Sequence, residues 1–157
     1  FKELVRRRDF MPEAVVALTG ASGARYCVKL VQSLVEHGWT VNLIVTGTGA
    51  INLDLECQMT PEDLADHDLV NLEDNRNLAA RSASGSARFD AYIVCPASGT
   101  TIGKIASGIS DNLATRSALV AMKERRKLII IPREAPYSTP HLRAMANLSE
   151  WLSLIHI

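Results

Sequence analysis

The sequence predicts an α/β fold in three layers, a parallel sheet flanked by helices. Three patterns carry that expectation. A strand, a helix and a second strand follow one another between Ala14 and Val45, an order that implies a right-handed crossover and parallel pairing. Four apolar runs, ending at Leu18, Val45, Cys95 and Ile131, each lead into a loop of glycine, serine, threonine or an Arg-Glu pair. Between the runs, apolar residues recur at helical spacing. In a parallel sheet such loops gather at the carboxyl edge, where ligands bind.

The first strand is Ala14 to Leu18, stopped by the tight turn Thr19-Gly20-Ala21-Ser22-Gly23. From Ala24 to His37, Cys27, Leu30, Val31, Leu34 and Val35 share one helical face, and Gly38 supplies the stop. Thr40 to Val45 is the second strand, with Thr46-Gly47-Thr48-Gly49 as a small polar turn at its end. Ala50 to Cys57 reads as a short helix, and Thr60-Pro61-Glu62-Asp63 as a cap with proline in the first turn of another. The polar span Asp66 to Arg88 holds a short strand at Leu69 to Leu72 and a small-residue loop, Ser82-Ala83-Ser84-Gly85-Ser86. Asp90 to Cys95 is a buried strand, and Pro96-Ala97-Ser98-Gly99-Thr100-Thr101 a third small polar turn. Helices follow at Ile102 to Ser107 and, with Asp111 as N-cap, at Asn112 to Arg125, whose basic last turn suits the negative end of the helix dipole. Leu128 to Ile131 is a buried strand ended by Pro132, then comes the loop Arg133 to Ser138. Thr139-Pro140 caps a final helix running to about Leu152.

At 157 residues, 47% apolar and 22% charged, the chain suits one soluble domain with a real core. Residues 1–10 precede Met11 and read as an extension. Lysine plus arginine equals aspartate plus glutamate, 17 each, so a broad basic surface for nucleic acid or anionic lipid is excluded and any anion site must be local. The apolar runs are too short to span a bilayer and no leader opens the chain, so neither a membrane nor a nucleic acid is an expected partner and a cytoplasmic location is. Cys27, Cys57 and Cys95 are odd in number and lack metal-type spacing. They read as buried free thiols, and no metal is expected.

Small residues at strand ends let backbone N–H groups approach a ligand, and a helix starting after Gly23 offers unpaired donors to a phosphate. Gly20-Ala21-Ser22-Gly23 is neither a dinucleotide fingerprint nor a phosphate loop ending in G-K-S or G-K-T. A dinucleotide fold also places an acid at the end of the second strand, where this chain has Thr46. A mononucleotide with one phosphate is the better match. Arg116 and Lys123, seven apart with Val120 between, share a helix face and either clamp an anion or pair with acids such as Glu124. Arg133 and Glu134 sit at a strand end, and a carboxylate beside a phosphate cluster is placed for proton transfer.

Several ordered motifs resemble the UbiX-type flavin prenyltransferases, a flavoprotein family with a Rossmann-like sheet. They are T-G-A-S-G-A from Thr19 to Ala24, A-S-G-S from Ala83 to Ser86, C-P-A-S from Cys95 to Ser98 and D-N-L-A-T-R from Asp111 to Arg116. The most specific are the run from Lys123 to Ser138 and H-L-R-A-M-A-N-L-S from His141 to Ser149. The resemblance implies a metal-independent reaction in which reduced FMN is alkylated by dimethylallyl monophosphate, phosphate leaves and a fourth ring closes on the flavin. It implies that Gly20, Ala21, Ser22, Thr46, the turn Ser98, Gly99, Thr100, Thr101 and Arg116 hold FMN. It further assigns the prenyl phosphate to Lys123, Arg133 and Glu134, with Glu134 and Ser22 relaying protons, and an active-site carboxylate to Glu56. The product, prenylated FMN, would pass to a UbiD-type decarboxylase, and the protein would be a homo-oligomer with sites between subunits.

The resemblance also has departures. The family continues beyond Ser149 with a strand, a loop carrying a tyrosine, a later basic residue and a C-terminal helix, whereas Trp151 to Ile157 matches nothing there. The expectation is therefore a single flavoprotein domain over residues 11–157 that lacks the family's C-terminal part. The turn Ser98 to Thr101 also lacks the lysine found there in some relatives. An FMN-dependent oxidoreductase or decarboxylase of the same superfamily, or a non-catalytic FMN-binding subunit, are the alternatives.

Overall fold

The computed structural model describes residues 11–151 together with the backbone of Leu154–Ile155. The extension expected over residues 1–10 lies outside the described residues. Six parallel strands form one sheet: β1 Glu13–Leu18, β2 Thr40–Val45, β3 Val70–Glu73, β4 Ala91–Ala97, β5 Leu128–Pro132 and the two-residue β6 Leu154–Ile155. Their spatial order is β3-β2-β1-β4-β5-β6.

Both faces of the sheet are buried because strand side chains alternate. Ala14, Val16 and Leu18 of β1 face one way into a cluster with Cys27, Val31, Leu43, Leu53 and Ile93. Val15 and Ala17 face the other way, into a cluster with Tyr92, Ile102, Ile105, Leu113, Leu128 and Leu148. Such two-sided burial gives the continuous apolar runs seen in the sequence. Helices α1 Ala24–Glu36, α2 Gly47–Cys57 and α3 Pro61–Leu64 cover the first face. Helices α4 Gly99–Ala106, α5 Leu113–Lys123 and α6 Thr139–Glu150 cover the second. The three-layer Rossmann-like fold is therefore as expected.

Several boundaries differ, for local reasons. Helix α2 starts at Gly47 and not Ala50, because Thr46 is its N-cap and accepts the Gly49 N–H at 3.1 Å. Helix α4 starts at Gly99 and not Ile102, with Ser98 accepting the Thr101 N–H at 3.2 Å. Two turns read from glycine content are thus first turns of helices, because a side-chain cap outweighs the poor helix propensity of glycine. The N-cap of α5 is Asn112, one residue past Asp111, and it accepts the Thr115 N–H at 3.0 Å. Strand β4 continues through Pro96 to Ala97, where the register against β5 shifts. A bulge accommodates the proline that a regular central strand would exclude. Helix α6 ends at Glu150, and Leu152 lies outside the described residues. Cys27 and Cys95 are buried free thiols, but Cys57 at the end of α2 is only half-buried. Burial pushes the Cys95 thiol up to about 11.

Candidate functional site

The strand order reverses at β1, whose following strands β2 and β3 lie on one side while β4 and β5 lie on the other. The connections leaving β1 and β4 therefore run to opposite faces of the sheet, which opens a crevice at the carboxyl ends of the two strands. Thr19, fully buried, stitches the crevice floor. Its hydroxyl donates to the Pro96 carbonyl at 2.7 Å and accepts the Ser98 N–H at 2.8 Å. The register shift between β4 and β5 lies beside this contact, and Ser98, held by Thr19, is the N-cap of α4.

Above this floor is a cleft of about 280 Å³. Gly20 lines it from the first turn, Thr46 and Thr48 from the start of α2, and Ser98, Thr100 and Thr101 from the start of α4. Lys104 and Asn112 complete the wall. Two helix N-termini thus open into one polar space, each adding N–H donors and partial positive charge. The Thr46 oxygen is occupied as a cap acceptor, but its O–H can still donate. Close approach requires Gly20, because a Cβ there would stand 2.7 Å from the Cβ of Thr48. This lining of hydroxyls, backbone amides and one ammonium fits the phosphate and polyol end of a mononucleotide.

The N-terminus of α1 does not play the part expected of it. Glu56, projecting from α2, accepts the Gly23 N–H at 2.9 and 3.0 Å through its two oxygens and the Ala24 N–H at 2.8 Å. These donors were expected to be unpaired and available to a phosphate. A carboxylate already satisfies them and would repel a second anion. Gly23 has φ +105°, a conformation that favours glycine, and a Cβ there would also stand 2.9 Å from the Tyr26 ring.

The remaining expected site residues fall into two groups. Ala21 is buried, its N–H donating to the Thr19 carbonyl at 2.9 Å, and Ser22 is exposed at the tip of the turn. The Arg133 N–H donates to the Ala97 carbonyl at 3.4 Å, which joins the loop after β5 to the end of β4. The Arg133 stem also lies 3.7 Å from where a Cβ at Gly23 would stand. Glu134 is exposed beside it. These residues share the carboxyl edge with the cleft, though they do not form its wall. Arg116 is exposed on α5 one turn beyond Asn112. Lys123 is elsewhere: it ends α5 just before β5, and thus sits at the amino edge of the sheet, ion-paired with Glu124 beside Gly85. The five-residue strand β5 separates that edge from Arg133, a distance of roughly 15 Å at strand rise. Arg126 secures the same loop, donating to the Gly85 carbonyl at 2.7 Å and the Tyr92 hydroxyl at 3.0 Å.

Sequence reasoning missed Thr48, Lys104 and Asn112 as cleft residues, and His141 of α6, whose ring fills the space a Cβ on Gly99 would need. Serine, threonine or asparagine three residues before an unpaired helix amide was the available signal for the caps. Lys104 gave none, since it follows six residues after Ser98 on a helix whose start was misplaced. Among the described residues, no group of three or more His, Cys, Asp or Glu side chains is placed to hold a metal ion, and no helix is long and apolar enough to cross a membrane.

A parallel sheet with a hydroxyl-lined cleft at its switch point is the architecture of mononucleotide-binding flavoproteins, and the Flavoprotein family model matches residues 5–153. Flavin prenyltransferase UbiX of Thermoplasma acidophilum is 42% identical over 139 residues, covering 87% of this chain and 74% of that protein. The chain belongs to the UbiX flavin prenyltransferase family. Among solved structures, AnUbiX in complex with FMN and dimethylallyl pyrophosphate superposes with a TM-score of 0.89 at 33% identity, over 93% of this chain and 77% of that one. A dodecameric FMN-dependent UbiX-like decarboxylase from Escherichia coli gives 0.87 at 36% identity, over 91% and 78%.

Proposed function

We propose that the protein is a flavin prenyltransferase that joins the dimethylallyl group of dimethylallyl monophosphate to reduced FMN. The observation that carries this is the cleft at the β1/β4 switch point, flanked by the Arg133-Glu134 loop and found in a chain that shares its family with named flavin prenyltransferases. FMN supplies the nucleophilic ring. Gly20, Ala21, Ser22, Thr46, Ser98, Gly99, Thr100, Thr101 and Arg116 bind and orient it. Arg133 neutralises the prenyl phosphate. The dimethylallyl carbon bonds to the flavin ring as its C–O bond to phosphate breaks. The phosphate leaves with the bonding electrons, and the proton given up by the alkylated ring reaches it through a relay of Ser22 and Glu134. Glu56 acts on Ser22 indirectly, by holding the Gly23 and Ala24 amides that follow it.

Lys123, at the far edge of the sheet, reaches a prenyl phosphate only in the site of a neighbouring copy, which makes the active form a homo-oligomer. The dodecameric Escherichia coli relative supports that assembly. The product, prenylated FMN, passes to a UbiD-type decarboxylase.

The test is anaerobic incubation with reduced FMN and dimethylallyl monophosphate, with the diphosphate in a parallel arm, followed by mass spectrometry of the recovered flavin. A flavin heavier by one prenyl unit is expected with the monophosphate, and Glu134→Gln should abolish it while FMN stays bound. Unmodified flavin, or an unaffected Glu134→Gln rate, would overturn the assignment. Turnover of a carboxylic acid or an electron donor without any prenyl phosphate would favour the FMN-dependent decarboxylase or oxidoreductase reading instead.

A further inference from the structure

We infer that Lys104, held in place by Asp111, recognises the phosphate end of the flavin and makes this cleft select FMN over riboflavin. The inference rests on the FMN reading above and adds to it a charge, an orientation and a specificity. Every other lining residue of the cleft is a glycine, a hydroxyl or an amide, so Lys104 is the one ionised side chain among the described residues of its wall. A phosphomonoester carries about −1.5 to −2 charges near neutral pH. Hydroxyls and the N-termini of α2 and α4 give it hydrogen bonds and partial charge, but of the wall residues only Lys104 supplies a full countercharge.

The ammonium of Lys104 lies 2.6 Å from the Asp111 carboxylate, which links α4 to the segment leading into α5. Asn112, itself in the wall, donates to the other Asp111 oxygen at 3.2 Å. The two side chains are 31% and 51% exposed. A pair this open to water contributes little by itself, so an arriving phosphate can take the ammonium over from Asp111 with little loss. Arg116, one turn further along α5, does not line the wall. Gly20, also in the wall, leads through Ser22 to Gly23 and the Arg133 stem. A ligand with its phosphate at Lys104 that extends past Gly20 directs its ring toward Ser22 and the Arg133-Glu134 loop.

The experiment is a titration of FMN and of riboflavin against the protein by flavin fluorescence, with Lys104→Met, Lys104→Arg and Asp111→Asn. Loss of one charge-assisted contact predicts that Lys104→Met weakens FMN by about ten- to a hundredfold while riboflavin changes less than about twofold. Lys104→Arg should retain most of the FMN affinity. Asp111→Asn should tighten FMN a few-fold, because it frees the ammonium and removes a like charge from beside the phosphate. If the methionine variant does not fold, Lys104→Gln carries the same expectation. Equal weakening of both flavins, or unchanged FMN binding without the ammonium, would overturn the inference while leaving the FMN reading intact. Wild-type protein that binds neither flavin would overturn both.

Discussion

Replacing Glu56 with alanine tests the most unusual contact at the site, a carboxylate from one helix capping another. Its oxygens take two backbone donors, Gly23 N–H and Ala24 N–H, at 2.8 to 3.0 Å. Hydrogen bonds to a charged acceptor contribute about 1.5–3 kcal/mol where they are shielded, and loss of a helix cap costs about 1 kcal/mol. Glu56 is half-buried, so a net loss of about 2–3 kcal/mol is the reasonable expectation for Glu56→Ala. For a domain of this size that lowers Tm by roughly 5–10 °C. Glu56→Gln keeps an acceptor but loses the charge facing the helix dipole and should fall between, about 1 kcal/mol below wild type. Thermal unfolding by circular dichroism reads both. Inorganic phosphate should stabilise the alanine variant more than wild type, since the vacated amides would then face solvent without an anion. An alanine variant melting within a degree of wild type, with no added response to phosphate, would refute the capping role.

Thr19→Val removes a buried hydroxyl that serves both Pro96 and Ser98. Stranding the Ser98 N–H should cost about 1–3 kcal/mol in urea unfolding and weaken FMN binding, because it loosens the start of α4. Glu13 is pulled upward in pKa by burial, but the hydrogen bonds from Arg81 and Asn42 prevail and hold it below 4.5. Its stabilising contribution is therefore present above pH 4.5 and lost as pH falls through the lowered folded value. Below pH 4.5 wild type should lose stability more steeply than Glu13→Gln in acid melts, and parallel profiles would count against the ion pair. Native protein treated with a thiol reagent should be modified at Cys57 before Cys27 or Cys95. Burial raises all three thiols, but only Cys57 is half-buried. Mass mapping that finds Cys27 or Cys95 labelled first would contradict the packing.

What could be read directly from the residues was whatever depends on short-range pattern. Val15 and Val16 with their apolar neighbours, the spacing of Cys27 and Val31, and the isoleucines after Leu128 determined strands, helices and the parallel sheet, because alternation and helical periodicity are local properties. Motif resemblance determined the family. What lay beyond the sequence was which groups face one another once distant strands pair and bring together residues such as Thr19 and Pro96, 77 positions apart. Neither the capture of the α1 amides by Glu56, nor the placing of Lys123 across the sheet from Arg133, nor the entry of Lys104 into the cleft wall has a signature in residue spacing. Each depends on the order in which strands lie side by side and on where a helix begins, and one misplaced cap rotates every later side chain. The sequence by itself determined the layers of this protein and its lineage. Only the tertiary structure decided which charges meet at the β1/β4 crevice, because an electrostatic partner is set by distance in space and not by distance along the chain.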